Sequence, residues 1–344
     1  MGVTADRIEA AAVGPLGQGE PRRLGLLSVV APVFNERDAV EAFCARVAAT
    51  LEGQRFELVL VDDGSTDGTG ALLDELAASD AGVGVVHLSR NFGHQAALTA
   101  GLDHAQGDAV VMIDADLQDP PELIPTMIER WRAGSDVVYA VREQRAGETR
   151  FKLVSAHWFY QVFGWLTRIE LRPDSGDFRL LDRRALDAIL AMPERSRFLR
   201  GMTVWVGFTQ TAVGYERDPR IAGDTKFTLR KMIRFSLDAI LSFSQVPLQV
   251  ATLLGFLFSA AAFLGIPFVV FARYAGIYVP GVSSILFVVL LLGGIQLITV
   301  GIIGEYIGRI YDEVKRRPLY VVRDRSNVTE PEHLAGAREQ VGAD

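Results

Sequence analysis

Between Asp238 and Glu305 the chain carries a single charged residue, Arg273. No other feature restricts the fold as much. A helix crossing a bilayer core needs ~20 consecutive apolar residues, and few soluble architectures can hide so long a run. Two spans fit, at about residues 247–272 and 282–304, joined by "RYAGIYVPG", whose Tyr, Gly and Pro suit a membrane interface. A buried helical hairpin is the competing reading, but globular helices average ~11 residues and keep a polar face. Arg230, Lys231 and Arg234 precede the pair, and Arg309, Lys315, Arg316 and Arg317 follow it. The positive-inside rule therefore predicts a multi-pass protein of the cell membrane, with both flanks and the whole amino-terminal part on the cytoplasmic side. Just ahead of the first span, "DTKFTLRKMIRFSLDAILSF" sets Phe227, Met232, Phe235 and Leu237 among basic residues. That composition predicts a helix lying in the interface, over about 223–244.

The remaining sequence is of a different kind. A formal net charge of -7 argues against a general nucleic-acid binder, which needs a basic surface. Cys44 is the single cysteine, so no intrachain disulfide and no cysteine-based zinc site can form. Residues 1–24 lack the continuous apolar core of a signal peptide and suggest a mobile lead-in; Asp6 stands where a myristoylation pattern wants Ser or Thr.

From residue 26 to about 142, short β-type runs alternate with amphipathic helical ones, which predicts a mostly parallel sheet with helices on both faces. "LLSVVAPVFNE", "FELVLVDDGSTDGTG", "VGVVHLSRNFG", "DAVVMIDAD" and "DVVYAVR" read as strands. Between them, Val40, Phe43, Cys44, Val47 and Leu51 mark the apolar stripe of one of the helices. Residues 143–220 are less regular: a helix at "RFKLVSAHWFYQVFGWLTR", a loop at "PDSGDFRLLD" and a late strand at "TQTAVGYER". The expected α/β domain covers 25–222, the two-span segment 245–306, and a cytoplasmic carboxyl-terminal segment 307–344, polar and mobile after "RRPLYVVRD".

Chemistry gathers where the strands end. In "VVMIDADLQDPPE" an apolar run opens onto Asp114, Asp116 and Asp119, the place where ligands bind in open α/β sheets. Alternate residues share one face, so Asp114 and Asp116 can converge on a hard cation such as Mg²⁺ or Mn²⁺, with Gln118 adding an amide oxygen. Two acids near a loop are often only solvated caps. Here, however, "VLVDDGSTDGT" ends a second strand in Asp62 and Asp63, and "APVFNE" ends a third with Asn35 and Glu36. Asp63 can accept hydrogen bonds from a nucleobase while Ser65, Thr66 or Asp67 caps the next helix; Glu36 either starts its helix or binds ribose hydroxyls. Three acidic strand ends favour one site over three coincidences. A dinucleotide oxidoreductase is disfavoured, since no G-x-G-x-x-G follows the first strand, and a P-loop is absent. A metal-neutralised diphosphate suits the acids best, with a nucleoside diphosphate as leaving group.

"APVFNE", "VDDGSTDGT", "LSRNFGHQAAL", "VVMIDADLQDPPE" and "SGDFRLLD", in this order, resemble glycosyltransferase family 2. The closest branch is the membrane-anchored polyprenyl-phosphate glycosyltransferases of the dolichol-phosphate mannosyltransferase type. The resemblance runs from about residue 26 to 322 and includes "AGDTKFTLRKM" and "RRPLYVV". It implies a GT-A fold, a nucleotide-sugar donor, a divalent cation and inverting transfer to a lipid phosphate. It implies further that Pro32, Asn35, Glu36 and Asp63 contact the nucleoside, and that Asp114, Asp116 and Gln118 serve metal and diphosphate. The Q-x-x-R-W motif of processive relatives is missing from the region of "RSRFLRG", which disfavours a polymer synthase. By family analogy a UDP-sugar is favoured over GDP-mannose.

A polyprenyl phosphate is anionic near neutral pH, its second ionisation falling at roughly 6. The site must therefore hold an anion beside a second phosphate group, and that requires cations. Arg142, Arg179, Arg200 and Lys226 are the candidates, although Arg179 can instead pair with Asp177. Asp177 is the candidate base or orienter of the acceptor, against a plain turn role in "PDSGD". The expected catalytic set is Asp177, Asp116, Arg142 and Arg200. His94 either touches donor phosphates or caps a helix; His87, His104 and His157 lack metal spacing and read as structural. Transfer to another membrane lipid such as diacylglycerol, or a silent scaffold in glycan export, are the rival functions. Small residues in "GGIQLITVGIIG" are compatible with packing of spans within or between subunits, hence with a homo-oligomer.

Overall fold

A computed structural model of the chain describes residues 22–142, 175–215, 244, 246–275 and 281–331. The described residues fall into two compact units: one holds 22–142, 175–215 and 318–331, the other 244, 246–275 and 281–317. The helix expected at 150–168, almost all of the interfacial helix expected over 223–244, and Lys226 lie outside the described residues.

The first unit is built on one sheet of eight strands. They are β1 (Leu27–Val33), β2 (Phe56–Asp62), β3 (Val83–Leu88), β4 (Ala109–Met112), β5 (Val137–Arg142), β6 (Ser175–Asp182), β7 (Gln210–Tyr215) and β8 (Val322–Ser326). Their order is β7-β5-β6-β4-β1-β2-β3-β8. β1, β2, β3 and β4 pair in parallel, as do β5 and β7, while β6 and β8 run against their neighbours. This is the mostly parallel α/β sheet that the GT-A resemblance implies. β1, β2, β3 and β4 are apolar nearly throughout because helices cover both of their faces.

Among the described residues six α-helices flank the sheet: α1 (Arg37–Thr50), α2 (Thr69–Ser79), α3 (His94–His104), α4 (Ile124–Arg132), α5 (Arg183–Leu190) and α6 (Leu199–Trp205). α1 buries Val40, Phe43 and Val47, the helical spacing legible in its sequence. α3 lies closest to the strands. A Cβ added at Gly101 would stand 2.3 Å from Val30 and 2.9 Å from Val61, so only glycine lets this helix settle on β1 and β2. That packing brings the amino end of α3 to the carboxyl ends of β1, β2 and β4.

Two expectations are corrected. "PDSGDFRLLD" is no loop: Ser175–Asp182 forms β6, inserted antiparallel between β4 and β5. Its Gly, Asp and Arg hide the strand signal, yet Phe178, Arg179, Leu180 and Leu181 are all buried. The first residues after Asp324, expected to begin a polar mobile tail, are placed on the sheet edge instead. Arg325 and Ser326 continue β8 opposite Val86 and Val85, and the Asn327 amide donates to Ala77 O at 2.6 Å and Val83 O at 3.0 Å.

The second unit contains α7 (Val246–Tyr274) and α8 (Val282–Val314), of 29 and 33 residues. Over Val246–Gly265 and Leu291–Val314 they are long and apolar enough to cross a membrane. Large side chains such as Phe256, Phe263 and Leu297 are more than 70 % exposed. The helix expected to end its span near 304 continues to Val314, because Glu305–Val314 keeps helical character after hydropathy falls.

Candidate active site

Pro32, Glu36, Asp63, His94, Asp114 and Asp116 line one crevice of about 320 Å³ at the carboxyl ends of β1, β2 and β4. The three acidic strand ends thus meet. Asn35 lies beside the crevice, with a backbone φ of 55°, and its Oδ1 accepts from Thr66 N at 2.8 Å. Asp62 turns away from it, toward His87 at 2.9 Å. Asp63 faces the opposite way, accepting from Phe92 N at 2.7 Å and Gly93 N at 3.0 Å, and burial raises its pKa. α2 is capped by Gly68 in the left-handed region, and Asp67, just before it, accepts from Thr69 N at 3.0 Å.

Asp114 is pushed up to about 6 by burial and by Asp177, Asp119 and Asp116, with His94 opposing. Burial would lower His94, but Asp177, Asp114 and Asp63 outweigh it and push it up to about 9. Its Nε2 stands 3.6 Å from Asp114 and 3.4 Å from Asp177. At neutral pH it is an imidazolium bridging two carboxylates. Burial would raise Asp177, yet His94, Arg200 and Arg179 hold it well below the usual carboxylate range. Asp177 accepts from Arg200 at 3.3 Å and from the Gln95 side-chain amide at 3.2 Å. Gln95 also accepts from Leu199 N at 3.0 Å, tying α3 to α6.

The other candidates divide. Arg142 Nε donates to the Tyr215 hydroxyl at 3.1 Å, and Tyr215 donates in turn to the buried Asp119. Arg142 lies near Gly176, where a Cβ would stand 3.7 Å from its guanidinium. Arg179 is 2 % exposed and donates inward, to Thr203 and to Gly176 O at 2.9 Å; burial lowers it to about 10. It does not make the direct pair with Asp177 that was its alternative role. Gln118 is 5 % exposed, its backbone N–H donating to Asp116 at 3.0 Å and its amide nitrogen unpartnered among the described residues. Sequence reasoning gave too little weight to His94, Gln95, Asp119 and Tyr215. For His94 the available signal was its place at the start of an Ala- and Gly-rich helix; for Asp119, its closeness to Asp114 and Asp116.

Among the described residues no three His, Cys, Asp or Glu side chains gather closely enough to hold a metal by themselves. The donor set nevertheless fits a cation completed by a ligand. Asp114 is destabilised as an anion by three neighbouring acids, which a divalent ion would relieve, and Mg²⁺ and Mn²⁺ bind through one or two carboxylates plus phosphate oxygens. Fold and site together define the class: an α/β enzyme whose acidic strand ends suit a phosphorylated ligand.

Comparisons with known proteins narrow it. The model of the family described as "Glycosyl transferase family 2" matches residues 28–190. An uncharacterized glycosyltransferase of Synechocystis is 47 % identical over 301 residues, 87 % of this chain and 95 % of its own. The bactoprenol glucosyl transferase of Shigella phage SfII is 43 % identical over 300 residues, covering 86 % and 97 %. Among solved structures, a glucosyl-3-phosphoglycerate synthase of Mycobacterium tuberculosis with Mn²⁺, UDP and phosphoglyceric acid overlays at a TM-score of 0.45 and 22 % identity, covering 63 % of this chain and 76 % of its own. The chain belongs to glycosyltransferase family 2, and it is a glycosyltransferase.

Proposed function

We propose that the protein transfers a sugar, with inversion, from a UDP-sugar to a polyprenyl phosphate at the cytoplasmic face of the membrane. The observation that carries this reading is the convergence of Asp63, Asp114 and Asp116 on one crevice, with Asp177 and its cations beside it. Relatives named bactoprenol glucosyl transferase, matched over nearly their full length, support the lipid acceptor and make UDP-glucose the first donor to test. Two long apolar helices support a membrane location.

Asp114 and Asp116, with Gln118 adjacent, would hold Mg²⁺ or Mn²⁺. When bound, the ion supplies charge neutralisation and Lewis acidity to the donor diphosphate. Pro32, Asn35, Glu36 and Asp63 form the nucleoside end. Asp177 is suited to orienting rather than to taking a proton, because a carboxylate held far below its usual range is a weak base. The acceptor phosphate is already an anion and needs none. Asp177 instead keeps His94 and Arg200 side by side, two cations able to face a phosphate, with Arg142 and Lys226 as further candidates. Arg179 supports this group from its buried position.

The test is reconstituted full-length protein with polyprenyl phosphate, labelled nucleotide sugars and Mn²⁺, the product read by mass spectrometry. A polyprenyl-phosphate sugar is expected. A diacylglycerol glycoside, or no transfer with any donor, would overturn the reading.

A further inference from the structure

His87 plays no part in the chemistry above, yet it is 1 % exposed and carries more polar contacts than packing requires. Its Nδ1 lies 2.9 Å from Asp62 Oδ2 and its Nε2 3.1 Å from Asp74 Oδ1, with Asp324 of β8 at 3.8 Å. Both ring nitrogens face carboxylates, which only accept, so both carry protons. Asp62 spends its other oxygen on the turn that follows, accepting from Ser65 N at 2.8 Å. The Ser65 hydroxyl oxygen then accepts from Asn35 N at 3.0 Å, and the Asn35 side chain accepts from Thr66 N at 2.8 Å. Asn35 stands in the left-handed region, which costs a non-glycine residue energy unless its surroundings over-determine it. It lies within residues 32–36, of which Pro32, Val33, Phe34 and Glu36 line the crevice. Gly70 completes the arrangement, since a Cβ there would stand 3.1 Å from Asp62 Oδ2 and push the pair apart.

We propose that His87 is a positioning residue for the nucleotide end of the donor site, acting through Asp62, Ser65 and Asn35 to fix the crevice-lining segment 32–36. The proposal rests on the donor-site reading above. It also gives β8 a part in the site, because Asp324 stands beside Asp74 at the imidazole Nε2, 3.8 Å away.

Two isosteric replacements separate the ring's two bonds. In His87→Asn the amide nitrogen stands near the position of Nδ1 and keeps the Asp62 bond; in His87→Gln it stands near Nε2 and keeps the Asp74 bond. Ser65→Ala cuts the chain of bonds further along, near the surface. The measurements use the full-length protein in nanodiscs: calorimetry with UDP and with GDP, each with Mn²⁺, and separate KM values for donor and polyprenyl phosphate. Losing the charge-assisted bond to Asp62 in His87→Gln, or the Asn35 N–H to hydroxyl bond in Ser65→Ala, predicts about tenfold weaker nucleotide binding and a similar rise in donor KM. The polyprenyl-phosphate KM should stay within about twofold, and His87→Asn should bind nucleotide like the wild type. Wild-type affinity in Ser65→Ala, or equal losses in His87→Asn and His87→Gln, would overturn the positioning role. A wild-type protein that binds neither nucleotide would instead defeat the donor-site reading itself. Should His87→Gln fail to fold, Ser65→Ala decides.

Discussion

Asp114 and Asp116 sit two residues apart on one strand end, but their surroundings differ. Asp114 is opposed by Asp177, Asp119 and Asp116 and is balanced chiefly by His94, while Asp116 already holds the Gln118 backbone. If both serve a cation and a diphosphate, Asp114→Asn and Asp116→Asn should each lower kcat by at least about 100-fold, in the range seen when one electrostatic partner of a transition state is lost. Steady-state transfer assays on folded variants check this, and full activity in either would remove that residue from the proposed role. The arginines divide by burial. Arg200, partly exposed and paired with Asp177, should raise the acceptor KM when changed to alanine. Arg179→Met should leave that KM unchanged but lower stability by about 2 kcal/mol, because Thr203 and Gly176 O lose a buried donor. Thermal melts and kinetics on the pair separate a support from a ligand.

Among elements, β3 and β8 carry a pH dependence of their own, apart from that of the active site. The bond to Asp62 raises the His87 pKa above its ordinary 6.5, against desolvation and with Asp74 adding. The folded state therefore holds the proton more tightly than the unfolded one. The resulting stabilisation is complete below about pH 6.5 and is lost as the pH climbs through the raised value. Asp62 adds the opposite edge: burial would raise it, but His87 and Ser65 lower it below 3.8, so its contribution fades as acid protonates it. Tm should decline from pH 6.5 upward in the wild type, and by less in His87→Asn, measured by calorimetry at matched ionic strength. An identical slope in both would show that the decline has another source. β1 to β5 could be read from their apolar runs, since a strand buried on both faces announces itself. β6 could not, because Arg179 and Gly176 break its run, and the buried arginine is tolerable there through Gly176 O and through Thr203, which α6 brings. β8 was equally hidden: Arg323, Asp324 and Arg325 look like a solvated tail until β3 offers them an edge.

For the whole molecule, the proposed reading has both apolar helices cross the membrane and, from the cations flanking them, the α/β unit on the cytoplasmic side. Reporter fusions at the carboxyl terminus and in the 276–280 connection should report opposite sides of the membrane, the terminus being cytoplasmic. Fusions reporting the same side would contradict a pair of spans. By itself the sequence determined the sheet class, the apolar pair and the identities of the acids, because hydrophobic periodicity and charge-free length are local properties that survive without coordinates. Only the tertiary structure decided which way each acid turns. Asp62 and Asp63 are neighbours in the chain, yet one is withdrawn to a buried imidazole and the other faces the crevice. That choice depends on β3, α3 and the loop at 91–93 arriving from elsewhere, and partners remote in sequence leave no periodic trace.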